Sequence, residues 1–262
     1  MTIPKKQVAL ISGGASGIGR TIAELFLKND WDVHINDISK DNIQDFLIKN
    51  PNATATLADI GNNNEIEKTF NDFNSLYKRL DTLILNAGIS GPNSPIENIH
   101  INDWQRCIDV NLTGMFYIVR QAIPLLKKTN SSSIIGIASN AGIFGCPNRS
   151  PYVATKWAMI GLIKTWAMEL GPFNIRVNAV CPASVEGPRI ERVIDSDAEK
   201  RGMTSAEIRD IYKKQSSMQT FVTANDVSEM VAFLASDKSS KISGQAIAID
   251  GNTETLGNWL DK

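Results

Sequence analysis

The chain has 262 residues, of which 27 are basic and 28 acidic, for a net charge of -1. That length can bury a sizeable core, and the balanced charge excludes a nucleic-acid or anionic-membrane surface as the expected partner, leaving a small molecule. Cys107, Cys146 and Cys181 are odd in number and lack metal-ligand spacing. They read as reduced thiols in small apolar spaces, with no metal site expected.

After Lys6 the first apolar run, 8–11, is too short for a signal peptide, and no apolar segment reaches the length of a membrane span. A soluble, cytoplasmic protein is expected. No linker, repeat or low-complexity tract interrupts the chain, which predicts one domain over 1–262. Short β-branched runs predict strands over 8–12, 32–36, 54–58, 82–85, 133–138, 175–180 and 246–249. Longer amphipathic runs predict helices over 18–29, 40–49, 64–78, 103–128, 152–170 and 226–235. This alternation is that of an α/β fold, a doubly wound seven-stranded parallel sheet with helices on both faces. Right-handed crossovers then place the carboxyl ends of the strands on one edge, where ligands gather.

The first strand runs directly into glycines, VALISGGASGIG over 8–19, and then into a helix. Gly13, Gly17 and Gly19 are spaced G-x-x-x-G-x-G, which predicts a turn longer than the usual dinucleotide turn. The physics is the same: residues without Cβ let a pyrophosphate approach the free N–H groups of the first helical turn. Asp37 closes the second strand where a dinucleotide fold places an acid on the adenosine ribose; it reads either as that acid or as a cap for the following helix. A carboxylate there repels a 2′-phosphate, so NAD is favoured over NADP. Asp59, after the third strand, reads as an adenine contact or a turn cap. LNAG at 85–88 ends the fourth strand, and Asn111 is a lone polar residue in a long apolar helix, unfavourable unless its amide makes specific bonds or perturbs the helix.

Ser139 follows the fifth strand, and Tyr152-Val-Ala-Thr-Lys156 begins a long helix thirteen residues later. Residues four apart stand on one helical face. A tyrosine ordinarily titrates near 10. An ammonium about 4 Å away at an effective dielectric of about 20 contributes roughly 4 kcal/mol, enough to bring the phenol towards about 7. There, proton transfer is efficient.

Taken together, SGGASGIG, Asp37, LNAG, Asn111, Ser139 and Tyr152-x-x-x-Lys156 resemble, in order and spacing, the classical short-chain dehydrogenase/reductase family over nearly the whole chain. The resemblance implies a Rossmann-type fold and Tyr152 as the general acid or base. Lys156 would lower its pKa and hold the nicotinamide ribose, and Ser139 would bond the substrate oxygen. Asn111 would hold a water that passes protons to solvent. Cofactor contacts are implied at Gly13, Ser16, Gly17, Ile18, Gly19, Asp37, Ile38, Asp59, Ile60, Asn86, Ala87, Gly88, Tyr152, Lys156, Pro182 and Val185. Ala183 and Gly187 stand where the family shows Gly and Thr, and the backbone of Val185 is expected to replace the side-chain anchor.

The polar segment 187–220 resembles the family's substrate lid, with a capping box at Thr204 and Glu207 starting its second short helix. Arg149 and Arg189 read as grips for an anionic substrate group or as surface or interface arginines. The helices bearing Trp104, Met115, Phe116, Trp157, Ile160, Leu162 and Trp166 are apolar almost all round, which reads as a buried helix or a subunit interface, and the family implies a homotetramer, with a homodimer also open. The expected activity is NAD-dependent interconversion of a secondary alcohol and a ketone, on a sugar, polyol or hydroxy acid. The alternatives are a 3-oxoacyl-(acyl carrier protein) reductase-like enzyme and a non-catalytic NAD-binding sensor.

Overall fold

The computed structural model describes residues 6–256; the ends of the domain expected over 1–262 lie outside those residues. Seven strands form one parallel sheet: β1 (Val8–Ser12), β2 (Asp32–Asp37), β3 (Thr54–Leu57), β4 (Thr82–Leu85), β5 (Ser132–Ile137), β6 (Ile175–Pro182) and β7 (Ala246–Ile249). Their order is β3-β2-β1-β4-β5-β6-β7. The chain winds outward from β1 to β3, then crosses back to β4 on the other side of β1 and winds outward again to β7. Winding reverses between β1 and β4, and such a reversal opens a crevice at the strands' carboxyl ends.

Strand residues divide strictly by parity because side chains alternate between faces. Val8, Leu10, Leu83, Leu85 and Ile134 enter one core, while Ala9, Ile11, Ile84, Ile135 and Ile137 enter the other. Burial on both faces explains why the strands read as continuous apolar runs. The first core is closed by α3 (Asn63–Leu76), α5 (Gly114–Leu126) and α6 (Ser150–Leu170), through Phe70, Phe73, Ile118, Leu126, Met159 and Ile163. The second is closed by α1 (Gly17–Lys28), α2 (Lys40–Lys49) and α9 (Ala224–Ala235), through Ile22, Phe26, Phe46, Val227, Val231 and Leu234. Each fully buried Phe or Ile here contributes roughly 1.5–3 kcal/mol of transfer free energy.

The helix expected over 103–128 runs over 101–126 with a π-helical turn inside it. It consists of α4 (Ile101–Ile108), a π-helical turn (Asp109–Thr113) and α5. Asn111 lies in that turn, and its amide bonds away from the helix, to Ile89 and Thr155. At Gly114 a Cβ would come within 2.5 Å of the Ile60 carbonyl oxygen, so α-helical pitch resumes where the backbone of the preceding loop passes close to the helix.

The segment 187–220 folds into α7 (Pro188–Arg201) and α8 (Ser205–Lys213), which enclose a small core of Ile190, Ile194, Ala198, Ile208 and Phe221. The Thr204 side chain accepts from the Glu207 amide at 3.2 Å and the Glu207 carboxylate accepts from the Thr204 amide at 2.8 Å, the reciprocal cap that starts α8. Among the described residues no helix is long and apolar enough to cross a membrane.

His34 on β2 is buried between Thr54 and Thr56 of β3, its ring nitrogens 2.8 and 3.1 Å from their hydroxyls, with Phe73 edge-on at 5.5 Å. Burial lowers its pKa to about 4, only partly opposed by Asp72. The folded protein therefore holds a neutral imidazole where the unfolded chain would take up a proton. The stability from that neutral ring is complete above about 6.5 and is lost as pH falls towards 4, a loss of about 3 kcal/mol at most. Urea unfolding curves are expected to show a steeper fall in stability between pH 6.5 and 4 for the wild type than for His34→Gln.

Candidate active site

The turn from β1 to α1 is shaped by close approach. Gly13 and Gly17 have φ of 63° and 52°, the left-handed region. A Cβ on Gly19 would lie 2.1 Å from the Gly13 carbonyl oxygen and 2.4 Å from the Asn86 amide nitrogen, whereas one on Gly17 would meet nothing within 4 Å. The turn is thus tight on its protein side and open above Gly17. Ser16, exposed and extended at the start of α1, provides no side-chain cap, so the first N–H groups of that helix are left for an anion. Ile18 is half-buried against the second core.

Asn86, at the end of β4, spends its amide on this turn, donating to the carbonyls of Ser12 and Gly13 at 3.1 and 2.9 Å, while the Ser12 hydroxyl accepts from the amides of Asn86 and Ala87. Asp37, at the tip of β2, is also tied in: one oxygen accepts from the Ala15 amide and the other from the Ser39 amide, both at 3.0 Å. The cap of α2 is Ser39, not Asp37. A carboxylate fixed against the glycine turn is where an adenosine ribose would reach it, and Ile38 beside it is exposed. Asp59 accepts from the Gly61 amide and pairs with Arg106 at 2.6 Å. Ile60 packs in the first core. Pro182 ends β6, and Val185 forms a parallel bridge with Val222 through the Ser184 carbonyl and the Glu186 amide, so the bridge does not use its own N–H or C=O.

The chemical groups meet at the carboxyl ends of β4 and β5. Lys156 is buried, and its ammonium donates to the Ile137 carbonyl at 2.7 Å and lies 5.6 Å from the centre of the half-buried Tyr152 ring. Burial pushes the Tyr152 phenol up, but the charges of Lys156, Arg189 and Arg149, with the neighbouring Ser139, bring it below the ordinary tyrosine value. Burial lowers Lys156, and the charge of Arg189 adds to that, against the pull of Tyr152. Ser139 accepts from the Ala141 amide at 3.1 Å and donates to Asn140 at 3.3 Å. Asn111 clamps the loop after β4, accepting from the Ile89 amide at 2.8 Å and donating to the Ile89 carbonyl at 2.9 Å. A Cβ on Gly88 would touch Asn111 at 3.1 Å and Lys156 at 3.8 Å. The three cysteines are free thiols: Cys107 and Cys181 are buried, Cys146 only half-buried, and burial pushes all three up, Cys181 to about 11.

A family model described as enoyl-(acyl carrier protein) reductase matches residues 13–252. The chain is a short-chain dehydrogenase/reductase. It is an oxidoreductase of secondary alcohols and ketones that works with a nicotinamide cofactor. It is 36% identical over 268 residues, 97% of this chain and 95% of the relative, to a trans-4-hydroxycyclohexanecarboxylate dehydrogenase of Sinomonas cyclohexanicum. To a 3-oxoacyl-(acyl-carrier-protein) reductase of Thermotoga maritima it is 34% identical over 250 residues, 94% and 96% of the two chains. A solved actinorhodin polyketide ketoreductase with NADPH superposes with a TM-score of 0.91 at 28% identity, covering 98% of this chain and all of the other.

The residues of this dehydrogenase/reductase fit a dinucleotide: open space above Gly17, an uncapped helix start, and a carboxylate on the adjacent strand end. Beside Tyr152 a cavity of about 500 Å³ is lined by Arg149 and Arg189, both anticipated from sequence, and by Asn93, Arg192, Ser196 and Lys200, which were not. Positions 189, 192, 196 and 200 share one face of α7, a spacing visible once a helix is placed there. Gly19→Ala is expected to weaken NADH binding tenfold or more in a fluorescence titration while far-ultraviolet circular dichroism is unchanged, because the added methyl displaces the Gly13 carbonyl that shapes the turn.

Proposed function

We propose that the protein is a cytoplasmic NAD-dependent dehydrogenase that oxidises a small polar secondary alcohol, a sugar, polyol or hydroxy acid, to the ketone. The observation that carries this is the phenol of Tyr152 held acidic beside the buried ammonium of Lys156 at the mouth of the β1–β4 crevice. NAD is held with its pyrophosphate over Gly13, Ser16, Gly17, Ile18 and Gly19, its adenosine ribose at Asp37 beside Ile38, and its nicotinamide among Gly88, Tyr152, Lys156, Pro182 and Val185. Bound there, it supplies the hydride acceptor.

The protein's own part is proton handling and orientation. Ser139 donates to the substrate oxygen and Tyr152 removes the hydroxyl proton. Lys156 stabilises the phenolate that accepts this proton and, anchored on the Ile137 carbonyl, fixes the distance over which it acts. Asn111 holds the loop at Ile89 against this lysine, and the free lone pair of its carbonyl oxygen seats the water that takes protons onward. Helices α7 and α8 act as the lid, docked through Lys200 and Asp197 onto Asn93 at 2.7 Å each.

The substrate class is supported by the relative acting on a hydroxycyclohexanecarboxylate. The acyl-carrier-protein reductase reading has the Thermotoga maritima relative in its favour, but Asp37 disfavours the 2′-phosphate of NADPH. The chain self-associates, as a homotetramer or homodimer, through the outer faces of α4 to α6, where Trp104, Phe116 and Trp157 are exposed; Met115, Ile160 and Trp166, from the same helices, are buried in the chain's own core.

Tyr152→Phe is expected to lower kcat about 10³-fold for any oxidised alcohol with NADH affinity unchanged by fluorescence titration. For the wild type, kcat/KM for oxidation rises as the phenol deprotonates and levels off below pH 10, because Tyr152 acts as base only in its deprotonated form. Asp37→Asn, which keeps a hydrogen-bonding oxygen but removes the charge, is expected to cut the NAD-over-NADP preference in kcat/KM about tenfold or more.

A further inference from the structure

Helix α7 separates its side chains by chemistry. Ile190, Ile194 and Ala198 face α8 and Phe221, forming the small core of the lid. Acids of the same helix are spent on that side or on neutral donors: Glu191 pairs with Arg209, Asp195 accepts from Ser205, and Asp197 accepts from Asn93 and Tyr212 at 2.7 Å each. Arg189, Arg192 and Lys200 stand on the remaining face, towards the 500 Å³ cavity, and Arg149 enters it from the start of α6. Among the described residues none of these four cations makes an ion pair. Arg189, in the first turn of the helix, opposes the helix dipole and stands three residues from the like charge of Arg192. A surface that needed these residues only for solubility would gain by setting acids among them.

The Arg189 guanidinium carbon lies 5.9 Å from the centre of the Tyr152 ring, so the cationic face adjoins the reacting position. We infer that the substrate is an anion, a small hydroxy acid or a phosphorylated hydroxy compound, whose carboxylate or phosphate is gripped by Arg149 and Arg189 with Arg192 and Lys200 behind them. Guanidinium forks match the two oxygens of such a group, and a charged lid face draws it into the crevice. A neutral polyol or sugar leaves the four cations without an anionic partner. This narrows the substrate class within the dehydrogenase reading and rests on that reading.

The test is calorimetric titration of malonate and of inorganic phosphate into the full-length protein with saturating NADH, which occupies the pyrophosphate site, with glycerol as the neutral control. At least one anion is expected to bind saturably while glycerol does not. Arg149→Gln with Arg189→Gln is expected to weaken that binding about tenfold or more, while Arg189→Lys, which keeps the charge but loses the bidentate fork, weakens it less than the double variant does. Phosphate binding without malonate assigns a phosphoryl substrate; the converse assigns a carboxylate. No saturable binding of either anion, or binding equally tight in the double glutamine variant, overturns the inference. The two readings fail separately. A protein that oxidises neutral alcohols with NAD yet binds neither anion refutes the anionic substrate alone. One that binds the anions through these arginines yet reduces no NAD with any hydroxy acid, sugar phosphate or neutral alcohol refutes the dehydrogenase reading alone.

Discussion

The site depends on a charge that burial disfavours. Lys156 is only 4% exposed and its ammonium has the Ile137 carbonyl as its protein acceptor, so desolvation favours the neutral amine. Desolvation acts on the Tyr152 phenol in the same sense, favouring its neutral form. Burial by itself disfavours the charged form of each. Their attraction, of the order of 3 kcal/mol at the 5.6 Å to the ring and an effective dielectric of about 20, is what makes the phenol acidic. That energy has value only while the geometry is kept, which is the work of α6, the end of β5 and the loop clamped by Asn111.

The fold delivers this geometry through the reversal between β1 and β4. The glycine turn follows β1, Gly88 and Ile89 follow β4, and Ser139 and the Ile137 carbonyl lie at the end of β5, so three neighbouring strands in the sheet supply one continuous edge. Contacts between distant segments then fix it. Asn86 bonds the turn 73 residues before it, and Asn111 joins the β4 loop to Thr155 in α6. Polar side chains buried at the sheet edge are here joints between loops, each satisfying backbone groups that would otherwise be stranded from water.

Much of this was legible in the sequence, because parity and spacing are local. All seven strands lie within two residues of their expected bounds, and Tyr152 and Lys156 fall on one face because four residues make one turn. What was not legible required the third dimension. The run over 103–128 reads as a helix of uniform pitch, since the π-turn at Asp109–Thr113 accompanies the bonding of Asn111 to Ile89 and the passage of Ile60 against Gly114. Asp59 and Asp37 look alike as acids at strand ends; Arg106, from α4, pairs with the first, and the amides of Ala15 and Ser39 hold the second against the glycine turn. Ile60 follows Asp59 as Ile38 follows Asp37, but the first is 5% exposed within the first core and the second 63% exposed.

A net charge of -1 describes the chain and conceals its field. Glu191 and Asp195 of α7 are turned to α8, and Arg189, Arg192 and Lys200 to the cavity, so charges that cancel in the sum are separated across one helix. Like charges three residues apart cost a helix a few tenths of a kcal/mol for the pair, and the one in the first turn about 0.3–1 kcal/mol for opposing the dipole. The lid core of Ile190, Ile194, Ala198, Ile208 and Phe221 offsets this, since burying one such side chain is worth roughly 1.5–3 kcal/mol. The guanidiniums also act on the chemistry: Arg189 and Arg149 help lower the phenol, and Arg189 lowers the neighbouring ammonium. A negative group placed on Arg189 would mute both effects, returning the phenol upward and the lysine with it. Substrate charge and proton affinity at the reacting centre are therefore one electrostatic system, in which the lid helix sets the field and the occupant of the cavity adjusts it.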